Sequence, residues 1–482
     1  MRCALVIPSW VPGDIFPSKT AGSQINYWQP LGTLYVASNL LKAGHDVRFF
    51  NGAFMAHEAI LNEIKKFEPG FVGIYSTAFG WQKAQETAIN IKRIDKNIFT
   101  CIGGPYPIAV QEYCLSSGGE SVDAVVTGEG ELTVVEMLDR LKMGKSLKDV
   151  QGVIYRENNR IIKNPPRPLI TNLDALVFPN RELLGEVNRY IPPPAMYKRK
   201  PVAVIMTSRG CNRKCIFCFQ MDQERQSGIR YRSIKNVLDE IELCLKQGFR
   251  EIKFIDDTFA EDYDRAMQLA IKMQERRLDF TWFASACVDQ VDEALLKAFK
   301  DAGCWAILFG AESGVQKNLN AIRKGTTLEQ IRKAVRIAKD VGIKVQTSYM
   351  FGIPGETFEE GLKTIDFACE LNPDMASFHA ITPFPGTYLY DNYEKYGTIS
   401  DELTDFTYQG AAFVPYTMTR EEVIKLRRIA FKKFYSRPCF LLKKLFELKN
   451  LNDLKLALRS IKSLFWIWVK KDLFKVRRQS TT

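Results

Sequence analysis

Thr207-Ser208-Arg209-Gly210-Cys211-Asn212-Arg213-Lys214-Cys215-Ile216-Phe217-Cys218 closes a short β-branched run, Val202–Thr207, and spaces three cysteines as CxxxCxxC. Three thiolates within eight residues of one loop can reach a common cluster, and thiolates are the usual ligands of iron–sulfur centres. A tetrahedral zinc site would want a fourth ligand. None of the three histidines, His45, His57 and His379, lies nearby in sequence to supply it. The trio Cys211, Cys215 and Cys218 is therefore read as the metal ligands of a 4Fe-4S cluster with one iron open to a substrate or cofactor. The other eight cysteines, Cys3, Cys101, Cys114, Cys244, Cys287, Cys304, Cys369 and Cys439, share no ligand spacing and read as small hydrophobes.

Downstream of the trio, strands are expected near Val202–Thr207, Glu251–Ile255, Phe280–Ala284, Ala306–Phe309, Lys344–Met350 and Ala376–Ala380. Helical patterns intervene at Ile234–Gln247, Tyr263–Glu275, Glu293–Ala302, Leu328–Val341 and Phe358–Leu371. Six such units predict a partial (βα)6 barrel over 196–405, with its site at the carboxyl mouth of the strands. Upstream, eight of the 21 prolines fall between Pro165 and Pro201, so 146–195 reads as a Pro-rich connection. Residues 1–145 alternate again: Cys3–Ile7, Leu31–Ala43, Asp46–Phe50, His57–Phe67, Phe71–Tyr75, Lys83–Ile94, Phe99–Ile102, Ala124–Val126 and Leu132–Leu141. That alternation predicts a Rossmann-like α/β domain whose ligands lie outside the carboxyl ends of a mostly parallel sheet. Residues 406–482 read as a helical, basic C-terminal region.

The chain has 482 residues, 46% hydrophobic and 25% charged, which excludes a single small module and wholesale disorder. Of the net +12, residues 437–482 carry +9, from twelve Lys and Arg against three acids, so the main body is nearly neutral. The start, MRCALVIPSWVPG, breaks its apolar run at Pro8 and shows no cleavable signal pattern. Eleven cysteines without such a signal point to a reducing, cytoplasmic setting. No stretch reaches the ~18 apolar residues of a spanning helix.

Strand, CxxxCxxC with the aromatic Phe217 before the last cysteine, then βα units: over about 196–400 the chain resembles the radical S-adenosylmethionine enzymes. In that family the open iron chelates the amino and carboxylate groups of S-adenosylmethionine, and reduction of the cluster releases a 5′-deoxyadenosyl radical. By that resemblance Phe217, Asp257 in Phe254-Ile255-Asp256-Asp257, Glu312 in Phe309-Gly310-Ala311-Glu312-Ser313-Gly314, and Gly352 in Gly352-Ile353-Pro354-Gly355-Glu356-Thr357 contact S-adenosylmethionine.

With residues 1–145 in front, the chain resembles the cobalamin-binding branch. The likeness rests on Pro30-Leu31-Gly32, Lys42-Ala43-Gly44-His45-Asp46-Val47, Ile102-Gly103-Gly104-Pro105-Tyr106 and Thr127-Gly128-Glu129-Gly130-Glu131. It implies that Ser76, Thr77, Gly103, Gly104, Gly128, Glu129 and Gly130 border the corrin. Asp-x-His-x-x-Gly, the motif that supplies a lower axial histidine in many cobalamin proteins, is absent, and His57 has other neighbours; cobalamin without histidine ligation is expected.

Two residues carry open alternatives. Cys287 stands where similar proteins often have Arg, as a hydrogen-donating thiol or a packing substitution. His379 is an acid–base or substrate contact, or a buried structural histidine.

In the tail, Leu451, Leu454, Leu458, Ile461, Phe465 and Trp468 recur at steps of three and four, an amphipathic basic helix that docks on the barrel or lies in a membrane interface. Cations could also serve RNA, but the methylthiolating tRNA enzymes carry a further cysteine-ligated cluster and a carboxyl-terminal β-barrel, so no nucleic-acid partner is expected.

The resulting expectation is an anaerobic radical enzyme that transfers a methyl group from cobalamin to an unactivated carbon of a small-molecule or lipid substrate. Flavodoxin or ferredoxin would donate the electron. The alternatives are a cyclase or oxidoreductase with the same cofactors, a tRNA-modifying radical enzyme, or a non-catalytic membrane-associated iron–sulfur protein.

Overall fold

The computed structural model describes residues 1–10, 27–193, 196–222, 227–407 and 410–446, with side chains to Leu442. Ile15–Trp28 for the most part, and the whole amphipathic pattern from Leu451 to Trp468, lie outside the described residues. The described chain forms two compact units. Among the described residues, the first gathers 1–10, 27–190 and 219–236, and the second 191–218 and 237–446.

In the first unit, β1 (Arg2–Ile7), β2 (Asp46–Asn51), β3 (Phe71–Tyr75), β4 (Phe99–Gly103) and β5 (Ala124–Val126) are parallel, in the order β2-β1-β3-β4-β5. Between them run α1 (Leu31–Lys42), α2 (His57–Phe67), α3 (Trp81–Ile94), α4 (Pro105–Val110) and α5 (Tyr113–Gly118), and α6 (Gly130–Lys142) follows β5. Apolar spacing decides what each helix buries. Ala37 and Leu40 of α1 share one core with Met137 and Leu138 of α6 and with Cys3, Leu5, Phe71 and Cys101 of the strands. This order is doubly wound and reverses between β1 and β3, so the carboxyl ends of those strands mark its ligand crevice.

The segment 146–195 departs from the expected connection. β6 (Val153–Glu157) and β7 (Arg160–Lys163) form an antiparallel hairpin that extends the sheet beyond β5. Residues up to 190 belong to the first unit. Asn158 and Asn159 make the turn, both with positive φ, a backbone region asparagine tolerates. The proline cluster begins only after this hairpin, at Pro165.

In the second unit, β8 (Val202–Ile205), β9 (Glu251–Phe254), β10 (Thr281–Ala286), β11 (Cys304–Glu312), β12 (Lys344–Phe351) and β13 (Met375–Ala380) form one parallel sheet in sequence order. Helices α7 (Ile234–Lys246), α8 (Tyr263–Glu275), α9 (Glu293–Asp301), α10 (Gln316–Ala321), α11 (Leu328–Asp340) and α12 (Phe358–Leu371) connect them. β8 and β13 stay unpaired with each other, so the barrel is partial. Side chains of Asp262, Asp292, Thr327 and Thr357 cap the starts of α8, α9, α11 and α12, the last two as capping boxes. Trp282 locks β10 to the helical layer through ring contacts with Phe254, Phe259 and Phe299.

After β13 come the one-turn α13 (Tyr388–Asp391), an antiparallel pair Gly397–Ile399 with Phe413–Pro415, and helices α14 (Arg420–Tyr435) and α15 (Pro438–Phe446). The short strand at 413–415 corrects the reading of everything beyond 405 as helical. α14 seats Leu426 against α12 at Gly361, where a Cβ would stand 2.4 Å from the leucine methyl.

Candidate functional site

In the second unit the site is built on strand ends. Asp256, just past β9, is buried and gathers the backbone that leaves β8. It accepts from the Thr207 amide (3.0 Å), the Thr207 hydroxyl (2.7 Å) and the Ser208 hydroxyl (2.5 Å). Burial raises its pKa, against those hydrogen bonds. Asp256 thereby fixes the root of the cysteine loop, while its neighbour Asp257 is exposed.

The three loop cysteines are half-buried. Cys211 accepts from the Arg213 amide (3.4 Å), and the Cys218 amide donates to the Cys215 carbonyl (3.3 Å). Burial, with a smaller contribution from Cys218, pushes the Cys211 and Cys215 thiols up to about 11. A bound cationic metal centre would turn such thiols into thiolates. Among the described residues no three His, Cys, Asp or Glu side chains converge on a single-ion site. Cluster ligands need not converge in that way, because each binds a different iron. An all-sulfur donor set on one short loop, electrostatically coupled and partly sheltered, fits a 4Fe-4S cluster.

Phe217 packs beside Ile216, Ile322, Met350 and Ile353. Arg213 is forked onto Asp289, with both contacts at 2.8 Å, and lies 4.0 Å from Glu261. Cys287, one residue past β10, is close enough to Cys211 and Cys215 to disfavour their ionisation. Burial raises its own pKa, with Lys324, Arg213 and a Thr258 hydrogen bond opposing. The structure thus brings Cys287 to the trio. His379 is half-buried on β13, in register with Met350 of β12.

Glu312 ends β11 at a register shift, with φ +61°. Its carboxylate takes the Lys324 ammonium at 2.8 Å, both side chains largely buried. Lys324 had no signal in the sequence, since one lysine before a glycine reads as a surface turn.

Gly352 adopts φ +83°, and its amide donates to Glu356 (2.7 Å), as does that of Ile353 (3.2 Å). Asn318 donates to the other Glu356 oxygen at 3.3 Å. Burial pushes the Glu356 carboxyl up to about 8, only partly offset by the two amides. A carboxyl whose folded pKa is raised holds its proton longer in the folded chain than in the unfolded one. Its contribution to stability is full below about 4.5 and fades as pH rises through about 8. Glu356→Gln should flatten that part of the stability–pH curve, as denaturant unfolding across this range would show.

The first unit presents its expected residues along the carboxyl edge of its sheet. Ser76 and Thr77 follow β3, Gly103 and Gly104 end β4, and Gly128, Glu129 and Gly130 follow β5. The Ser76 amide donates to the Gly103 carbonyl at 2.8 Å, so two of these ends are tied together. Gly104, at φ +114°, has no room for a side chain, since a Cβ would meet the Ser76 carbonyl at 2.6 Å. Gly128 faces open space, with nothing within 4 Å of a built Cβ. Bare backbone at strand ends beside a topological switch point fits the close approach of a corrin and its nucleotide tail.

Glu129 behaves differently. Its carboxylate holds Arg230 (2.9 and 3.0 Å) and the Ile170 amide (2.6 Å), so its side chain braces the unit. His57 bonds Asn90 of α3 at 3.0 Å.

The "Radical SAM superfamily" description matches residues 205–368, and the "B12 binding domain" description matches 21–138. An uncharacterized methyltransferase of Pyrococcus horikoshii is 36% identical, over 93% of this chain and 95% of its own length. The anaerobic magnesium-protoporphyrin IX monomethyl ester cyclase of Rubrivivax gelatinosus is 28% identical over 92% of this chain and 78% of its own. The solved cobalamin-dependent S-adenosylmethionine radical enzyme OxsB, with aqua-cobalamin and S-adenosylmethionine bound, shares the fold at a TM-score of 0.73. It is 16% identical and covers 96% of this chain and 72% of its own. With relatedness of 36% along nearly the whole length and both domain types in place, the chain belongs to the cobalamin-binding radical S-adenosylmethionine enzymes, whose cofactors are a 4Fe-4S cluster, S-adenosylmethionine and cobalamin.

Proposed function

We propose that the chain is a methyltransferase acting on an unactivated carbon, with Cys211, Cys215 and Cys218 as cluster ligands. The observation that carries this reading is the near-full-length relationship to a methyltransferase, beside a sheltered three-thiol loop at the mouth of the partial barrel. When bound, the cofactors would supply a 5′-deoxyadenosyl radical to take a hydrogen atom from the substrate carbon and a methyl group to replace it. Phe217, Asp257, Glu312 and Gly352 are the residues proposed to seat S-adenosylmethionine. Glu312 is held by Lys324, and the Gly352 turn by Glu356. Ser76, Thr77, Gly103, Gly104, Gly128 and Gly130 are proposed to line the corrin, and Glu129 to serve it through its backbone. Cys287 and His379 are the candidates for contact with the substrate.

The anaerobically reconstituted, reduced protein should yield 5′-deoxyadenosine together with S-adenosylhomocysteine and a methylated product. Formation of 5′-deoxyadenosine with an altered but unmethylated product would transfer the assignment to the second reading, a cyclase or oxidoreductase, which the Rubrivivax relative favours.

Among the described residues no helix is long and apolar enough to cross a membrane. We place the enzyme in the cytoplasm, reduced by flavodoxin or ferredoxin under anaerobic conditions, with the basic segment 437–482 touching anionic lipid. A chain lacking 437–482 should lose co-sedimentation with anionic liposomes and keep S-adenosylmethionine cleavage; equal sedimentation of both chains would remove the membrane from the proposal.

A further inference from the structure

Lys324 lies in the turn after α10, and that turn is fastened to the cysteine loop. The Ile216 amide, between Cys215 and Phe217, donates to the Ile322 carbonyl at 3.2 Å. Gly325, at φ +73°, faces Arg213 of the loop, 3.7 Å from a built Cβ.

The lysine itself is held from two sides. Its Nζ donates to Glu312 Oε1 at 2.8 Å, and Gly310 of β11 leaves the space it occupies. A Cβ at Gly310 would stand 2.6 Å from the ammonium and 2.2 Å from the carboxylate oxygen. A side chain at 310 would therefore displace the pair.

Arg213 and Lys324 are not equivalent. Arg213 is matched by Asp289 and Glu261, two carboxylates. Lys324 has one carboxylate, Glu312, as its ion-pair partner among the described contacts. Its ammonium is held as an ion pair with Glu312 at 2.8 Å, both side chains largely buried. Lys324 is near enough to Cys215 and Cys287 to act on both electrostatically.

We infer that Lys324 is a charge-positioning residue for the iron–sulfur centre: its buried ammonium, fixed over Gly310 by Glu312, favours the reduced state of a cluster held by Cys211, Cys215 and Cys218. The inference rests on the reading of those cysteines as cluster ligands. Reduction takes one electron from an external low-potential donor and adds one negative charge at the cluster. A fixed cation nearby lowers that cost, and does so most where water is excluded. Lys324 touches no reacting atom in this role; it acts on the potential at which the centre accepts its electron.

The test is a redox titration of the reconstituted full chain, followed by electron paramagnetic resonance without S-adenosylmethionine. Lys324→Gln with wild-type iron and sulfide content should titrate at a more negative potential. At the wild-type midpoint its ratio of reduced to oxidised cluster should be at least tenfold lower, about 59 mV for one electron. Lys324→Arg should stay near wild type. A fully loaded Lys324→Gln at the wild-type potential, or above it, overturns the inference. Should Lys324→Gln load poorly, Gly310→Ala decides, because it moves the ammonium without removing it: a negative shift supports the inference and an unchanged potential overturns it. Failure of the wild-type chain to take up any cluster would instead refute the reading of the trio, a separate outcome.

Discussion

Cys215→Ala should leave a folded chain that no longer cleaves S-adenosylmethionine. Outer-shell substitutions at metal sites cost about 10–100-fold, and removing one of three protein ligands should exceed that range, with iron and sulfide content falling together. Folding should survive, because Cys215 is only half-buried and the loop's root is held elsewhere, by Asp256 through Thr207 and Ser208. Circular dichroism unchanged beside lost visible absorption is the expected signature. Normal cleavage by a cluster-free Cys215→Ala protein would remove the cysteine loop from the chemistry altogether.

Arg230→Met should destabilise the first unit by about 3–5 kcal/mol, the cost of leaving one member of a buried ion pair behind. Glu129 and Arg230 are both almost fully buried, so the substitution leaves the Glu129 carboxylate without this arginine. Hydrogen exchange locates the effect: amides of β5 and β6 should lose protection while those of β10 and β12 keep theirs. Glu129→Leu combined with Arg230→Met should recover a large part of the loss, since no charge then stays unpaired. Unchanged protection in Arg230→Met would mean that water already reaches the pair.

The strands and helices were legible because their periods are strong and local. Apolar runs at Cys3–Ile7, Phe71–Tyr75 and Lys344–Met350 lie within a residue or so of β1, β3 and β12. The cysteine loop was legible because its spacing is contiguous. What escaped depends on distance in sequence. Glu129 reads as part of a glycine turn, and only the fold brings it to Arg230, 101 residues later. Asp256 and Asp257 are adjacent and chemically alike, yet one is buried as an anchor and the other exposed, a difference fixed by which strand-end residue meets Thr207. Lys324 reached its place by α10 folding back toward the cysteine loop, which no local pattern announces. The β6–β7 hairpin was hidden because its four- and five-residue strands, one with largely exposed side chains, carry little alternation.

The first unit is also discontinuous: its last piece, 219–236, is encoded after the cysteine loop. On a ribosome adding about 5–20 residues per second, Arg230 emerges roughly 5–20 s after Glu129. During that interval Glu129 precedes its Arg230 partner, and all three cysteines are translated before that arginine. The order of synthesis therefore completes the first unit only after the cysteine loop has been made.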